Sequence, residues 1–256
     1  MAKILIAGCG DIGTGLGKAL SEKGHYVVGL RRHPPIEEMG IRFIAADLTN
    51  PAELADLDTD FDQVFFMAAP KLHDLNAYRE IYEGGLNNLL HKLSMNQHSP
   101  HWISVSSTSV YGQVDGKWVD EDSLTVPRKF NGQLQLLSEQ SVLAENKNNL
   151  IVRFSGIYGP GRRRMLSLAG KSGPIQFKPP YYTNRIHKED CIGVLMFLFE
   201  KRVDGNKLYT HYLASDDGSA PMWDVVSWLA KKLKCKPPEI KQVDKDATQN
   251  KRCCNK

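Results

Sequence analysis

Cysteine is scarce in this sequence and has no pattern. The five residues, Cys9, Cys191, Cys235, Cys253 and Cys254, share neither a metal-ligand spacing nor a framework of bridges. With no recognisable leader segment, this predicts a reducing, cytoplasmic setting. Long hydrophobic runs are missing too. The longest, "IGVLMFLF", is well short of the ~20 residues a membrane helix needs, so it predicts a buried helix and no membrane partner. Nor does either sign of charge dominate. Lys and Arg number 33 against 29 Asp and Glu, a net +4, whereas nucleic acid calls for a concentrated basic face. No grouping of His, Cys and carboxylates suggests a metal, so the expected metal set is none. What remains is an ordinary globular composition, 41% hydrophobic and 24% charged over 256 residues. Such a chain can bury a large core, as one α/β unit or as a main domain with a lobe.

Short apolar runs punctuate the chain. "KILIA" leads into the turn "GCGDIGTGLG", a helix ended by Gly24, and a second strand "HYVVGL". "IRFIAADL" and "QVFFMAA" repeat the pattern, each a buried-type strand followed by a polar helix. In "ADLTNPAEL", Thr49 or Asn50 is placed as an N-cap with Pro51 at the first helical position. Residues 74–95 read as one long helix, "HWISVSS" as a fifth strand and "NLIVRFSGIYG" as a sixth. Strands alternating with helices predict a parallel sheet, and continuous apolar runs predict burial of both its faces. From Tyr158 the texture changes to Gly, Pro and charge, which reads as a smaller lobe.

The turn after the first strand is G-x-G-x-x-G, with Gly8, Cys9, Gly10, Asp11, Ile12 and Gly13. Gly8 permits the tight turn, Gly10 lets a pyrophosphate approach the backbone, and Gly13 lets helix and strand pack closely. A purely structural glycine turn is the alternative. An acidic residue about 20 positions on would bind the ribose hydroxyl of NAD. Here the segment is "GLRRHPP", with Arg31 and Arg32 and no carboxylate. A guanidinium suits a 2′-phosphate, so NADP is favoured and NAD is the second choice. Alternatively one arginine is solvated and the other stacks on adenine. Asp47 and Leu48 would lie beside the adenine, though Asp47 could equally serve as a cap.

With these residues placed, the chain resembles the extended short-chain dehydrogenase/reductase family, of the NAD-dependent epimerase/dehydratase type. The matching motifs are "GCGDIG", "ADLTNP", "VFFMAAP", "ISVSSTSVYG", "VRFSGIYGPG" and "NRIHKEDCIGVL", in that order. It is most similar to an atypical bacterial subgroup with an altered active-site motif. The resemblance implies an α/β, doubly wound parallel-sheet Rossmann fold. Residues 1–157 and 186–213 would form the NAD(P)-binding domain, and 158–185 and 214–256 a discontinuous substrate-binding lobe. It puts Ala68, Ala69, Ser155 and Gly156 beside the cofactor. It further implies a homodimer through helices matching residues 74–95 and 131–147. The closing "NKRCCNK" looks like the start of a segment that continues further in the family, so the chain is expected either to be truncated or to lack its last turn.

The family's acid/base set is a Ser or Thr, a tyrosine, a lysine one helical turn on, and an asparagine in the preceding helix. Of these, the serine alone transfers cleanly, to Ser107. The tyrosine position falls on Phe130, the lysine position on Leu134 (Gln133 or Gln135 with a one-residue shift), and the asparagine position on Tyr82. Losing a general base is worth ~10²–10⁴ in rate. Three readings stay open: another donor, with Tyr111, Tyr82 and Tyr158 as candidates; a non-catalytic sensor or regulatory module; or chemistry that uses the cofactor transiently. Thr108, Tyr158, Arg162 and Arg185 would face the substrate. The arginines favour a phosphate-bearing small molecule such as a nucleotide-sugar. Arg153, and His187 with Asp190, read as structural.

Overall fold

The computed structural model describes residues 1–37, 39–96 and 98–242, together with the backbone of Cys253–Cys254. Its first strand, β1 (Lys3–Ala7), is buried at every position after Lys3. It pairs in parallel with β2 (Tyr26–Arg31) on one side and β4 (Gln63–Phe66) on the other, so Ile6 lies between Gly29 and Phe65. Beyond β2 lies β3 (Arg42–Ala45), and beyond β4 lies β5 (His101–Ser107), both parallel. Strands Leu150–Phe154 and His211–Ala214 complete a seven-stranded sheet. There the Ile151 N–H donates to Thr210 and the Ser155 N–H to Ala214, so these two strands also run together. The strand order reverses direction between β1 and β4. In a doubly wound α/β fold that switch point opens a crevice at the carboxyl ends of the strands.

Burial follows position in the sheet. Central β4 is fully buried, as its unbroken apolar run requires, while edge strand β3 exposes both ends. Helix α1 (Asp11–Glu22) follows β1 and buries Ile12, Leu16 and Leu20.

Three sequence expectations need correction. No α-helix follows β3. A single 3-10 turn, Pro51–Leu54, stands there, with Asn50 rather than Thr49 as its cap, accepting from the Ala52 N–H at 3.2 Å. The "DLDTD" stretch beyond it is rich in Asp, which competes with helix by bonding nearby backbone. Residues 74–95 are not one regular helix. Helix α2 (Leu75–Arg79) passes through a π-helical turn at Glu80–Gly85 into α3 (Leu86–Ser94). Gly84 and Gly85 make that wide turn accessible, and a Cβ on Gly85 would press on Leu48 at 3.1 Å. Finally, "NLIVRFSGIYG" is two strands. Leu150–Phe154 stays in the main sheet, whereas Gly156–Tyr158 pairs in parallel with Arg185–His187. The break falls at Ser155 because the Gly156 N–H turns to Asn184.

The chain divides into two compact units. The first holds residues 1–110, 127–153 and 189–212, and the second 111–126, 154–188 and 213–256. The first unit also contains α4 (Phe130–Glu145) and most of α6 (Lys188–Val203), the helix built on the longest apolar run. In the second, α5 (Arg164–Gly170) packs on α7 (Met222–Lys232), burying Ala169, Val226 and Ala230. Apart from the backbone of Cys253–Cys254, the closing "NKRCCNK" lies outside the described residues. Among the described residues no helix is long and apolar enough to cross a membrane.

Candidate functional site

At the end of β1 the chain turns on Gly8, whose φ of +82° suits glycine and whose Cβ would sit 2.4 Å from the Ala68 backbone. Both requirements come from the fold itself. The loop is tied to β2, since the Gly8 and Cys9 N–H groups both donate to Leu30 at 3.0 Å. Gly13 is needed for packing, because its Cβ would meet Ile6 at 3.0 Å. Gly10 differs. Its Cβ would meet no protein atom nearer than 3.9 Å, and as the N-cap of α1 it offers no side chain to the first-turn amides. A helix N-terminus left open in this way carries a partial positive charge and suits a phosphate. Cys9 contributes backbone to the loop. Burial pushes its thiol up to about 11, with Thr14 and Arg31 pulling the other way.

Beside the loop, β2 ends on Arg31 and runs into Arg32, which is exposed. The Arg32 guanidinium lies 3.7 Å from the Asp47 carboxylate. That carboxylate also accepts from the Thr49 N–H and hydroxyl, at 2.9 and 2.8 Å. Burial works against its ionisation and is outweighed by the Thr49 hydrogen bonds and the Arg32 charge, so its pKa lies below the usual value. Leu48 faces inward as part of the core. Gly8, Gly10, Arg31, Arg32, Asp47 and Ala68 thus gather at the carboxyl ends of β1 to β4, with Ala69 exposed just beyond.

On the other side of the switch point, β5 ends at Ser107. Its hydroxyl oxygen accepts from the Ser109 N–H at 3.1 Å, across a 3-10 turn in which Thr108 is buried. Helix α4 is pressed against this turn, since a Cβ on Gly132 would lie 2.3 Å from the Ser109 carbonyl. The residues that the resemblance sets in the acid/base places are packed rather than poised. Leu134 is 4% exposed in the main core. Phe130 is half-buried, its ring edge-on to Tyr78 at 5.3 Å and 5.5 Å from His73. Tyr82 is 5% exposed, and its hydroxyl accepts from Gln135 Nε2 at 2.7 Å. Burial, helped by neighbouring Tyr78, drives that phenol well above its ordinary pKa against the Gln135 hydrogen bond. Two side chains went unnoticed in the sequence: Tyr78, whose hydroxyl lies 3.1 Å from His73 Nδ1, and His73 itself. The available signal was the i, i+4 spacing of Tyr78 and Tyr82 on one helical face.

Deeper in the same unit, Glu139 of α4 and Arg153 form a buried ion pair, 2% and 3% exposed. Arg153 Nη2 lies 2.6 Å from Glu139 Oε2, and the Ser106 hydroxyl donates to Oε1 at 2.6 Å. This network pins α4 to the strand that ends in Ser107.

The remaining sequence candidates belong to the second unit. Tyr111 is 2% exposed. Tyr158 is exposed and stacks edge-on to His187 at 5.2 Å. Arg185 donates to the carbonyls of Thr183 and Gly218, at 3.3 and 2.6 Å, so its guanidinium is engaged by the lobe's own backbone. Arg162 is half-buried just ahead of α5. Ser155 is buried with its hydroxyl unpartnered, beside Gly156. Among the described residues no group of three or more His, Cys, Asp or Glu side chains is arranged to hold a metal.

The sequence pattern of the RmlD substrate binding domain matches residues 2–253. Protein YeeZ of Escherichia coli K12 is 28% identical over 213 residues, covering 80% of this chain and 76% of YeeZ. A candidate NAD-dependent epimerase/dehydratase from Methylobacillus flagellatus is 32% identical, with a TM-score of 0.78 over 99% of this chain and 89% of its own. UDP-glucuronic acid 4-epimerase from Bacillus cereus, solved with NAD, has a TM-score of 0.77 at 21% identity over 99% and 89%, a likeness of fold. A match across residues 2–253, carried on a doubly wound sheet that opens with the glycine turn, makes this chain a member of the RmlD substrate binding domain family, an atypical branch of the extended short-chain dehydrogenases/reductases.

Proposed function

We propose that this protein binds a nicotinamide dinucleotide, NADP before NAD, and acts as a reductase or epimerase on a phosphate-bearing small molecule of the nucleotide-sugar kind. One observation carries the reading. The amino end of α1 is left open at Gly10, and two arginines follow at the end of the neighbouring strand. In this reading the backbone from Gly8 to Gly13 holds the diphosphate. Arg31 and Arg32 hold the ribose phosphate, and Asp47 with the Leu48 backbone flanks the adenine. A bound nicotinamide supplies hydride transfer. The chain's own share is to orient the substrate and stabilise charge on its oxygen through the Ser107 hydroxyl. The Methylobacillus and Bacillus relatives support the dinucleotide part. The family resemblance favours a homodimer through α2–α3 and α4, and the unpatterned cysteines favour a reducing, cytoplasmic setting.

Calorimetric titration with NADPH, NADP and NAD tests the first half. Micromolar NADPH binding is expected, weakened ~10-fold by Arg32→Ala, the equivalent of about 1.4 kcal/mol. No binding of any of the three at millimolar concentration overturns the reading. Hydride exchange against a panel of UDP- and dTDP-sugars tests the second half. A non-catalytic dinucleotide module is the second reading, favoured by the apolar Phe130 and Leu134. It would show as tight binding with no exchange.

A further inference from the structure

We propose that the phenol of Tyr78, backed by the imidazole of His73, is the proton donor of this site in place of the tyrosine missing from α4. This rests on the dinucleotide-dependent reading above and names the group that would move the proton. Phe130 brings a ring and no hydroxyl to the family's tyrosine position, and the phenol packed against that ring is Tyr78, edge-on at 5.3 Å. His73 touches both, at 5.4 Å from the Tyr78 ring and 5.5 Å from Phe130, with its Nδ1 3.1 Å from the Tyr78 hydroxyl. The cluster's place is fixed from both sides. Asp74 caps α2 by accepting from the Ala77 N–H at 2.9 Å, which sets where Tyr78 points. Gly132 seats the first turn of α4 on the turn that follows Ser107.

Exposure separates Tyr78 from Tyr82 and Tyr111, and Tyr158 is set apart by its contact with His187 rather than with Phe130. Tyr82 and Tyr111 are buried, whereas Tyr78 is half-buried and His73 exposed, so the pair can exchange protons with water. Burial raises the Tyr78 phenol, which keeps it protonated and suits it to donate. In the reductive direction the phenol O–H breaks as an O–H forms on the substrate oxyanion left by hydride arrival. As the His73 Nδ1 proton passes to the phenolate oxygen, Nε2 takes a proton from water, so the imidazole stays neutral and hydroxide is left in solvent. The hydride comes from the nicotinamide dinucleotide. Oxidation runs the same transfers backwards. His73 acts through Tyr78 and is a positioning and relay group. Other ionisable groups on the packed elements are Arg79, Glu80, Tyr82 and Glu83 alongside, and Glu139 and Glu145 on α4, with Lys129 just before it. Arg79 and Glu83 pair at 3.9 Å, and Glu139 is committed to Arg153. Asp74 is committed to its cap.

The test compares the native protein with Tyr78→Phe and His73→Gln. The readouts are NADPH affinity by calorimetry, hydride exchange from deuterated NADPH against the sugar panel across pH, and His73 titration by NMR without dinucleotide. Tyr78→Phe should keep NADPH affinity within about twofold and lower exchange by ~10²–10⁴. His73→Gln, which keeps a hydrogen-bonding side chain but cannot relay a proton, should change the pH profile of exchange. In the apo protein, the His73 titration should shift when Tyr78 becomes Phe. Native-rate exchange by Tyr78→Phe overturns the proposal, as does an unmoved His73 titration. A native protein that binds NADPH yet exchanges no hydride overturns the relay alone. One that binds no dinucleotide overturns the underlying reading.

Discussion

The two sides of β1 are built from different materials. Toward β2, the glycine turn is shaped by backbone alone, with Gly8 locked by its φ and by the Ala68 backbone, and Gly10 open. Toward β5 and α4, the places that the resemblance gives to a tyrosine and a lysine hold apolar side chains. Phe130 and Leu134 join the same core as their neighbours. A phosphate site made of N–H groups needs only glycines and a helix end, so drift in side chains leaves it standing. An acid/base site needs one particular ionisable group. Once that is replaced, the helix beneath can still be held by apolar contacts and by the Glu139–Arg153 pair.

The largest way to break this contrast is to attack the pair that holds α4. Glu139→Ala leaves Arg153 buried without its carboxylate and is expected to lower stability by about 3–5 kcal/mol in urea denaturation. Next comes restoration of the family residues one at a time. Leu134→Lys puts an ammonium where the chain is 4% exposed and should lower stability by about 2–4 kcal/mol. Phe130→Tyr is half-buried and should change it by less than about 1 kcal/mol. The useful restoration is therefore the tyrosine alone, and equal losses from both would show that α4 is equally closed at the two positions.

On the other side of β1, two alanines separate fold from binding. Gly8→Ala meets backbone at 2.4 Å in a left-handed conformation and should cost about 2–3 kcal/mol of stability. Gly10→Ala should cost less than about 1 kcal/mol, yet weaken NADPH ~10-fold or more by filling the open space above the turn. The smallest effect is expected at Asp47, whose folded pKa is depressed. Such a group contributes stability above its unfolded pKa and loses it as pH falls through the folded one. Asp47→Asn should therefore be slightly less stable than native at pH 7, by less than about 1 kcal/mol. The two thermal midpoints should converge at the acid end of the carboxylate range.

Much of the first half of the fold was legible because its signals are local. The run "KILIA" followed by G-x-G-x-x-G fixes a strand, a turn and a helix within about twenty residues, and Pro51 marks the turn that Asn50 caps. The split of "NLIVRFSGIYG" was not legible, because both pieces have strand character and the break depends on Asn184, far along the chain. The π-helical turn at Glu80–Gly85 was equally hidden, since the buried positions Ile81, Gly85, Leu89 and Leu93 keep an ordinary helical spacing across and beyond it. Tyr78, His73 and Phe130 meet only because α2 packs beside α4, across more than fifty residues of sequence.

By itself the sequence determined the alternation of strands and helices and the glycine turn. These are properties of neighbouring residues and of side-chain chemistry. Only the tertiary structure decided that Gly10 faces open space while Gly8 and Gly13 face protein, that Leu134 is core, and that a phenol and an imidazole stand beside the ring of Phe130. Contacts between distant segments are set by how whole elements pack, and no local pattern encodes which pairs will touch.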